Sequence, residues 1–357
     1  MLGEEEEGSR RVPESLDLTI DVTEAAALGE AAHIALTVQL PDPDTLAAEP
    51  VVCFAKPGGG YSKEYFTLDL PGPARGAQSD WHAQRGWVFV AGDHLGVGAS
   101  STHHDSARLD YTTLTAASHA AEQEVLRRLA EGTLVDGFPP VPDPLSLGIG
   151  QSMGGCLTVV QQGRHHGYDG IGVLGYSAVH THPPVTPGSV PITAPWVPRD
   201  ALQSETMVIV NAPQIAAAAL MTGAAGSWET MAWGFHYDDV DAATVAADMQ
   251  RGDPLPGWAS ATIPGVGLSS LAPGAIAPEA AAVLAPVLVA MGERDVIADP
   301  KGEPRAYLSA TSVDLFICPR MGHMHNFAGT RELLWRRIET WAEWVRVVKN
   351  TESVGGG

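Results

Sequence analysis

The sequence predicts an α/β fold built on a doubly wound, mostly parallel sheet. The first observation is a series of short, almost wholly apolar runs, which are typical of parallel strands covered on both faces. In chain order they are VVCFAK, GWVFVAGD, PLSLGIG, GIGVLGY, APVLVAMG and VDLFICP. The second observation is that stretches with apolar residues at helical spacing separate several of these runs. Together the two patterns predict strands that alternate with helices.

Two alternating segments come before these runs. LDLTIDV and HIALTVQL switch between apolar and polar residues, which favours a pair of antiparallel strands. The clearest helical patterns are SARLDYTTLTAASHAAEQEVLRRLAEG and RELLWRRIETWAEWVRVV. Residues 1–15 and 349–357 are aperiodic and mostly polar, so we expect flexible tails around a core formed by residues 16–180 and 286–348.

A long insertion interrupts this core between GIGVLGY and APVLVAMG. It is rich in Pro, Ala, Gly, Trp and Met, and its length of about 100 residues is too great for a structureless loop. We therefore expect residues 181–285 to form a separate subdomain.

Composition and charge exclude several classes of protein. Charged residues make up 18% of the chain, and no apolar run approaches the roughly 20 residues needed to cross a membrane. The acidic first residues lack the apolar segment of a secretory signal, so a cytoplasmic protein is expected. The formal net charge of −21 would repel nucleic acid and anionic lipid, and we expect neither as a partner. The oligomeric state stays open, a homo-oligomer included.

Cysteine and histidine spacing gives no metal motif. The cysteines are widely spaced, form no CxxC pair and are expected to be buried free thiols: Cys53, Cys156 and Cys318. Adjacent histidines point apart on a strand or helix, and no HExxH accompanies the pairs His103–His104, His165–His166 and His180–His182. We therefore expect no metal and no cofactor.

The main chemical signal is PLSLGIGQSMGG, a predicted strand followed by a helix with Ser152 at the turn. A serine on such a sharp turn has a strained backbone, and Gly150 and Gly154 remove the clashes that the turn would create. Glycine is abundant in this chain, with 39 residues, so the GxSxG pattern gains its weight from the strand and helix around it. Ser152 is the predicted nucleophile.

A nucleophilic serine needs a base and an orienting acid, each after a strand and in the order serine, acid, histidine. Asp295 follows the run APVLVAMG, and His323 follows VDLFICP. Two alternatives stay open at this level: Asp299 for the acid and His325 for the base.

The oxyanion of acyl transfer needs preorganised N–H donors. One is expected from Met153, the residue after the nucleophile, and the other from the glycine loop after VVCFAK, at Gly59 or Gly60.

A dinucleotide site is the main rival interpretation, because glycines also follow this strand. The spacing differs from GxGxxG, since Met153 occupies the third glycine position. Asp169 precedes the next strand, whereas a ribose-binding acid should lie at that strand's carboxyl end. The serine interpretation is therefore favoured.

The segment Asp93–Ser100, in VFVAGDHLGVGASS, resembles the one after the fourth strand of α/β hydrolases. With PGGG, GQSMGG, GERD and GH in the same order, the resemblance covers about residues 51–348. Pro57 stands where many members have the histidine of HGGG or HGxP. Because the elbow carries serine and not aspartate, the resemblance implies ester-type acyl transfer.

A narrower resemblance concerns three segments: CFAKPGGGY, MAWGFHYDDVD and PRMGHMHNFAGTRELLW. They are similar to bacterial lactonases that open resorcylic macrolactones such as zearalenone. This similarity implies a macrolactone substrate.

In this fold the insertion 181–285 is expected to form a lid over the nucleophile. Aromatic and sulfur side chains of the insertion suit an apolar ester or lactone, as do two residues outside it, Tyr61 and His180. Those in the insertion are Met221, Trp228, Trp233, Phe235 and Trp258. The expected function is hydrolysis of such a small molecule. The alternatives are carbon–carbon bond hydrolysis or acyl transfer on the same residues, and a non-catalytic ligand-binding protein.

Overall fold

A computed structural model describes residues 15–189, 210–211, 227–250 and 252–355 of the protein. The described strands, in chain order, are β1 Ser15–Asp21, β2 His33–Gln39, β3 Val51–Lys56, β4 Val88–Gly92, β5 Leu145–Gln151, β6 Gly170–Leu174, β7 Val210–Asn211, β8 Thr262–Ile263, β9 Val287–Gly292 and β10 Val313–Cys318. The described α-helices are α1 Thr23–Ala26, α2 Glu64–Thr67, α3 Gln78–Ala83, α4 Tyr111–Glu131, α5 Met153–His165, α6 Ser227–Phe235, α7 Ala242–Gln250, α8 Val266–Ser269, α9 Ala277–Ala282 and α10 Arg331–Gly355.

Within the described residues, eight strands form one sheet in the order β1-β2-β4-β3-β5-β6-β9-β10. β1 pairs antiparallel with β2, and β2 pairs antiparallel with β4. All the other neighbours are parallel. This confirms the predicted doubly wound, mostly parallel sheet and its antiparallel start. The carboxyl ends of the parallel strands therefore meet at one edge.

Helices cover both faces of the sheet because the central strands are apolar on both sides. α4 and α5 lie on one face and share a buried cluster with Val52, Val173 and Val289. α10 lies on the other face, where Trp341 packs with Leu147. A strand residue and its neighbour thus point into different cores, as the pleat requires.

The long helix α4 begins and ends at recognisable signals. The side chain of Asp110 accepts a hydrogen bond from the backbone of Thr113 and caps α4, whereas Gly132 ends α4 with a left-handed backbone. The sequence pattern placed the end of the core at residue 348, but α10 runs to Gly355. After residue 348 the apolar residues no longer recur at helical spacing, although the helix continues.

Part of the insertion packs against the core. From Ile263 onward its apolar side chains, among them Val266 and Ile276, belong to the same buried cluster as α4 and α5. Arg164 of α5 bonds to Glu279 of α9 at 2.8 Å. No helix within the described ranges is long and apolar enough to cross a membrane.

Candidate active site

Ser152 lies on a sharp turn between β5 and α5. Its φ of 53° and ψ of −119° are rarely adopted by a residue with a side chain. A Cβ on Gly150 would lie 2.1 Å from the carbonyl oxygen of Gly154, and one on Gly154 would lie 2.1 Å from that of Lys56. The flanking glycines are therefore required by backbone packing, and the turn presents the Ser152 hydroxyl above the sheet.

His323 lies on the loop after β10 and is buried beside this serine. Its Nε2 is 3.0 Å from Ser152 Oγ, and its Nδ1 is 2.6 Å from Asp295 Oδ1. The backbone N–H of His323 donates to the carbonyl of Gly234 in α6. The three side chains thus form one hydrogen-bonded chain, and α6 helps to hold its central member.

Asp295 follows β9 in a buried turn, where the backbone N–H groups of Gly292 and Val296 each donate to its carboxylate at 2.8 Å. Burial by itself would raise its pKa, but the charge and hydrogen bonds of His323 and His325 outweigh burial and lower the pKa well below the ordinary value. Asp295 is therefore ionised, so the Nδ1–H of His323 donates to it. This leaves His323 Nε2 to accept the serine proton.

The two alternatives take other positions. His325 lies in the 3-10 turn His325–Phe327, and its Nε2 is 2.7 Å from Asp295 Oδ2. It therefore bonds to Asp295, whereas His323 contacts Ser152. Asp299 is exposed and lies 3.8 Å from Arg305.

The glycine loop after β3 passes close to Ser152. A Cβ on Gly58 would lie 3.2 Å from the Ser152 Cβ, and one on Gly59 would lie 3.8 Å from the Met153 sulfur. Gly60 has a left-handed backbone, and its carbonyl accepts from Ser260 in the insertion. Gly58 and Gly59 therefore lie against the turn at Ser152, in the loop from which the sequence predicted an oxyanion donor.

Gln151 fills the space between this loop and His323. Its Nε2 donates to the His323 carbonyl at 3.0 Å, and its Oε1 has no hydrogen-bond partner within the described part of the chain. A Cβ on Gly58 would lie 2.2 Å from that Oε1, so a larger residue at Gly58 would displace the Gln151 side chain. Gln151 thus contacts both the loop of His323 and the glycine loop.

Two buried groups hold the start of the glycine loop. His94 Nε2 donates to the Pro57 carbonyl at 2.9 Å, and burial lowers the pKa of His94 to about 4, so this imidazole is neutral. Lys56 pairs with Glu122 of α4 and also donates to Tyr168 Oη at 2.6 Å. Sequence reasoning missed these partners, since Lys56 and Glu122 are 66 positions apart.

A second buried carboxylate joins the glycine loop to the insertion. Asp248 of α7 is fully buried and accepts hydrogen bonds from Tyr61 Oη at 2.8 Å, His236 Nε2 at 2.9 Å and Trp258 Nε1 at 2.9 Å. Tyr61 and Trp258 were predicted to contact substrate, and their polar atoms point to Asp248. No sequence signal marked Asp248, because its partners come from three separate segments.

The other predicted substrate residues take different positions. The Phe235 ring centroid is 4.9 Å from that of His323, so Phe235 packs against the candidate site. Trp233 packs under the Arg294 guanidinium at 4.4 Å, and the His180 ring lies 3.9 Å from that of His182. Met221 and the side chain of Trp228 lie outside the described residues.

Comparisons with known proteins agree on the fold. No protein-family model matches the chain, and no curated protein matches it in sequence. Among solved structures, proline iminopeptidase from Mycobacterium smegmatis is 14% identical with a TM-score of 0.57, covering 94% of this chain and 100% of that one. A soluble variant of Saccharomyces cerevisiae monoglyceride lipase is 16% identical with a TM-score of 0.57, covering 94% and 97%. The enol-lactonase from Burkholderia xenovorans is 15% identical with a TM-score of 0.50, covering 88% and 95%.

These similarities extend over nearly the whole length of each chain. Together with the strand order and the serine turn, they show that the protein has the α/β-hydrolase fold. At such low identity they show the fold alone, because one fold hosts many functions.

Proposed function

We propose that the protein hydrolyses a carboxylic ester or lactone through an acyl-enzyme on Ser152. One observation carries the proposal: Ser152 Oγ, the His323 ring and the Asp295 carboxylate form an unbroken hydrogen-bonded chain with distances of 3.0 and 2.6 Å. Such a chain activates a hydroxyl that is otherwise a weak nucleophile.

The first half of the reaction forms the acyl-enzyme. His323 Nε2 takes the proton of Ser152 as Oγ attacks the carbonyl carbon, and the carbonyl oxygen becomes an oxyanion. The N–H groups of Met153 and of Gly59 or Gly60 donate to this oxyanion. When the tetrahedral intermediate collapses, His323 returns the proton to the alkoxide leaving group.

The second half releases the acid. Water gives its proton to His323 and attacks the acyl carbon, and Ser152 Oγ leaves with that proton. Asp295 stays ionised throughout and stabilises the imidazolium, since its pKa is lowered by the two imidazoles despite burial. In a lactone the acid and alcohol remain one molecule, so ring opening gives a single hydroxy acid.

The proposed substrate is a small apolar ester or lactone with an aliphatic or aromatic group that packs on Phe235. Phe235 is half-buried against the His323 ring, and an apolar acyl or alkoxy group packs well on such a face. The formal charge of −21 disfavours anionic substrates. The three segments that are similar to zearalenone lactonases favour a resorcylic macrolactone.

The test is a hydrolysis panel of aryl esters, aliphatic esters and a resorcylic macrolactone, with wild type and Ser152→Ala compared. We expect wild type to open the macrolactone and to be labelled by a fluorophosphonate, and Ser152→Ala to lose both properties. Turnover and labelling that are unchanged in Ser152→Ala would refute the proposal.

Two other outcomes would change the assigned reaction. Product from a diketone, or transfer to an added acyl acceptor, with poor ester turnover would indicate carbon–carbon bond hydrolysis or acyl transfer on the same residues. Tight binding of the macrolactone without turnover would indicate a ligand-binding protein.

A further inference from the structure

Glu30, His103 and His104 bring three metal-binding groups together outside the Ser152 site. One ligand atom from each lies within 4.8 Å of the other two. His103 Nε2 is 3.5 Å from Glu30 Oε1, and His104 Nδ1 is 3.8 Å from Glu30 Oε2. Two imidazole nitrogens and a carboxylate oxygen are a ligand set that suits zinc and its neighbours among the transition metals.

His103 supplies a second observation that points to a ligand. Only 1% of its side chain is exposed, and its Nε2 has no hydrogen-bond partner within the described ranges. Its Nδ1 lies 2.9 Å from the carbonyl oxygen of Asp105 and 3.0 Å from the backbone nitrogen of Asp105. When Nδ1 accepts from that N–H, the proton is on Nε2; when Nδ1–H donates to the carbonyl, Nε2 carries a lone pair on the side of Glu30. A bound cation selects the second tautomer, and metal-bound histidines are usually oriented by such a backbone bond.

The sequence predicted that adjacent histidines would point apart, and the structure contradicts this for His103 and His104. Their ring centroids are 4.3 Å apart, with an angle of 32° between the planes. The reason is local, because these residues lie in a loop after β4 and not on a strand or helix. The alternation that separates neighbouring side chains on a regular element therefore does not apply.

Hydrogen bonds hold this loop against the start of β2 and the residues before it. Ser101 accepts from the His33 backbone through Oγ at 2.9 Å and donates its own N–H to the His33 carbonyl at 3.0 Å. On the other side of Glu30, the Arg108 guanidinium donates to the carbonyls of Ala27 and Leu28. The backbone on both sides of the cluster is thus fixed before any cation binds.

We propose that Glu30, His103 and His104 bind one divalent transition-metal cation of the zinc class. Tetrahedral zinc places its ligand atoms about 3.3 Å apart. The 3.5 and 3.8 Å separations are to different oxygens of Glu30, and one ligand atom from each residue lies within 4.8 Å of the other two, so the set has to close by up to about 1.5 Å. Rotation of the exposed Glu30 and His104 side chains supplies that movement. Water supplies the fourth ligand. The bound cation links the loop before β2 to the loop after β4 and takes no part in the Ser152 reaction.

The experiment is calorimetric titration of the full chain, stripped with chelator, with Zn²⁺, and with Co²⁺ as a spectroscopic probe. We expect one tight site per chain, a tetrahedral Co²⁺ absorption band, and a higher Tm in Zn²⁺. His104→Ala and Glu30→Gln should each weaken Zn²⁺ binding about 100-fold or more and abolish the rise in Tm. Both positions are exposed, so these variants should fold.

Matched controls change residues of the same type elsewhere. Glu24→Gln alters an exposed glutamate, and His166→Asn alters an exposed histidine whose left-handed backbone asparagine tolerates. Both should bind Zn²⁺ as wild type does. The proposal is overturned if wild type shows no stoichiometric site, if His104→Ala binds normally, or if His182→Ala removes the site, since His182 pairs with His180.

Discussion

His325 Nε2 lies 2.7 Å from Asp295 Oδ2, and His323 Nδ1 lies 2.6 Å from Asp295 Oδ1. One carboxylate therefore binds two imidazoles. His325 fixes the orientation of the carboxylate, while His323 contacts Ser152. His325 Nδ1 is buried without a hydrogen-bond partner in the described part of the chain. This cost is consistent with a positional role for His325.

We predict that His325→Gln lowers kcat about 10-fold with little change in KM, because Asp295 keeps its backbone donors but loses one that fixes its orientation. Steady-state kinetics on the best substrate of the panel would measure this. His323→Gln is the matched comparison and should cost about 10⁴-fold or more, since it removes the base. Equal losses in the two variants would contradict the assignment of His323 as base and His325 as positioning residue.

Ser152→Gly should be more stable than Ser152→Ala by about 1 kcal/mol, although both should be inactive. Glycine adopts the positive φ of 53° without the strain that a Cβ causes, which outweighs its greater entropy in the unfolded chain. Urea unfolding of both variants measures the difference. An alanine variant as stable as the glycine variant would show that the turn stores no strain.

Asp248 accepts one hydrogen bond from Tyr61, which follows the glycine loop, and one from Trp258 of the insertion. Tyr61→Phe removes the first donor, and Trp258→Phe removes the second. We expect both variants to lose about 1–2 kcal/mol of unfolding free energy, because a buried carboxylate loses a partner. Only Tyr61→Phe should also lower kcat, by about 3- to 10-fold, since Tyr61 adjoins the oxyanion donors.

Thermal or urea unfolding together with kcat and KM separates these effects. Equal kcat in Tyr61→Phe and wild type, at reduced stability, would mean that the Asp248 contact is structural only.

His82 predicts a pH dependence of stability. It stacks on Trp87 and Phe89 with centroid distances of 4.5 and 5.5 Å, and burial lowers its pKa from the ordinary 6.5 to about 3. Between these values the unfolded chain binds a proton that the folded chain does not. The contribution of His82 to the free energy of unfolding is therefore fully present above pH 6.5 and is lost as the pH drops towards 3.

His82→Leu should remove this contribution. Urea unfolding at about pH 7.5 and about pH 5 should show a loss on acidification that is about 2 kcal/mol smaller than in wild type. His166→Asn, at an exposed histidine, is the control and should keep the wild-type difference. If His82→Leu lost as much unfolding free energy on acidification as wild type does, His82 would have to be protonated or hydrated in the folded protein.

Much of the candidate site was predictable because it depends on local rules. Ser152 was found from the glycines that its turn needs, and Asp295 and His323 from their positions just after apolar runs. The carboxyl ends of parallel strands meet at one edge, so residues distant in sequence converge there. His323 was the predicted base and His325 the alternative, and no local pattern excludes His325, because the contact with Ser152 depends on the path of the loop after β10.

Other features escaped sequence reasoning for a common reason. Asp248 and Tyr61 are 187 positions apart, and no periodicity links a buried carboxylate to such a partner. The pair His103–His104 was predicted to point apart, which holds on regular elements but not in the loop that brings both rings to Glu30.

The sequence by itself determined the doubly wound sheet, the turn at Ser152 and the positions of Asp295 and His323 just after their strands, since apolar periodicity and glycine placement act within a few residues. Only the tertiary structure decided that His323 contacts Ser152 while His325 contacts Asp295, and that Asp248 joins the glycine loop to the insertion. These pairings depend on the packing of distant segments, where burial removes water and leaves each polar atom to whichever partner the fold brings within hydrogen-bond distance.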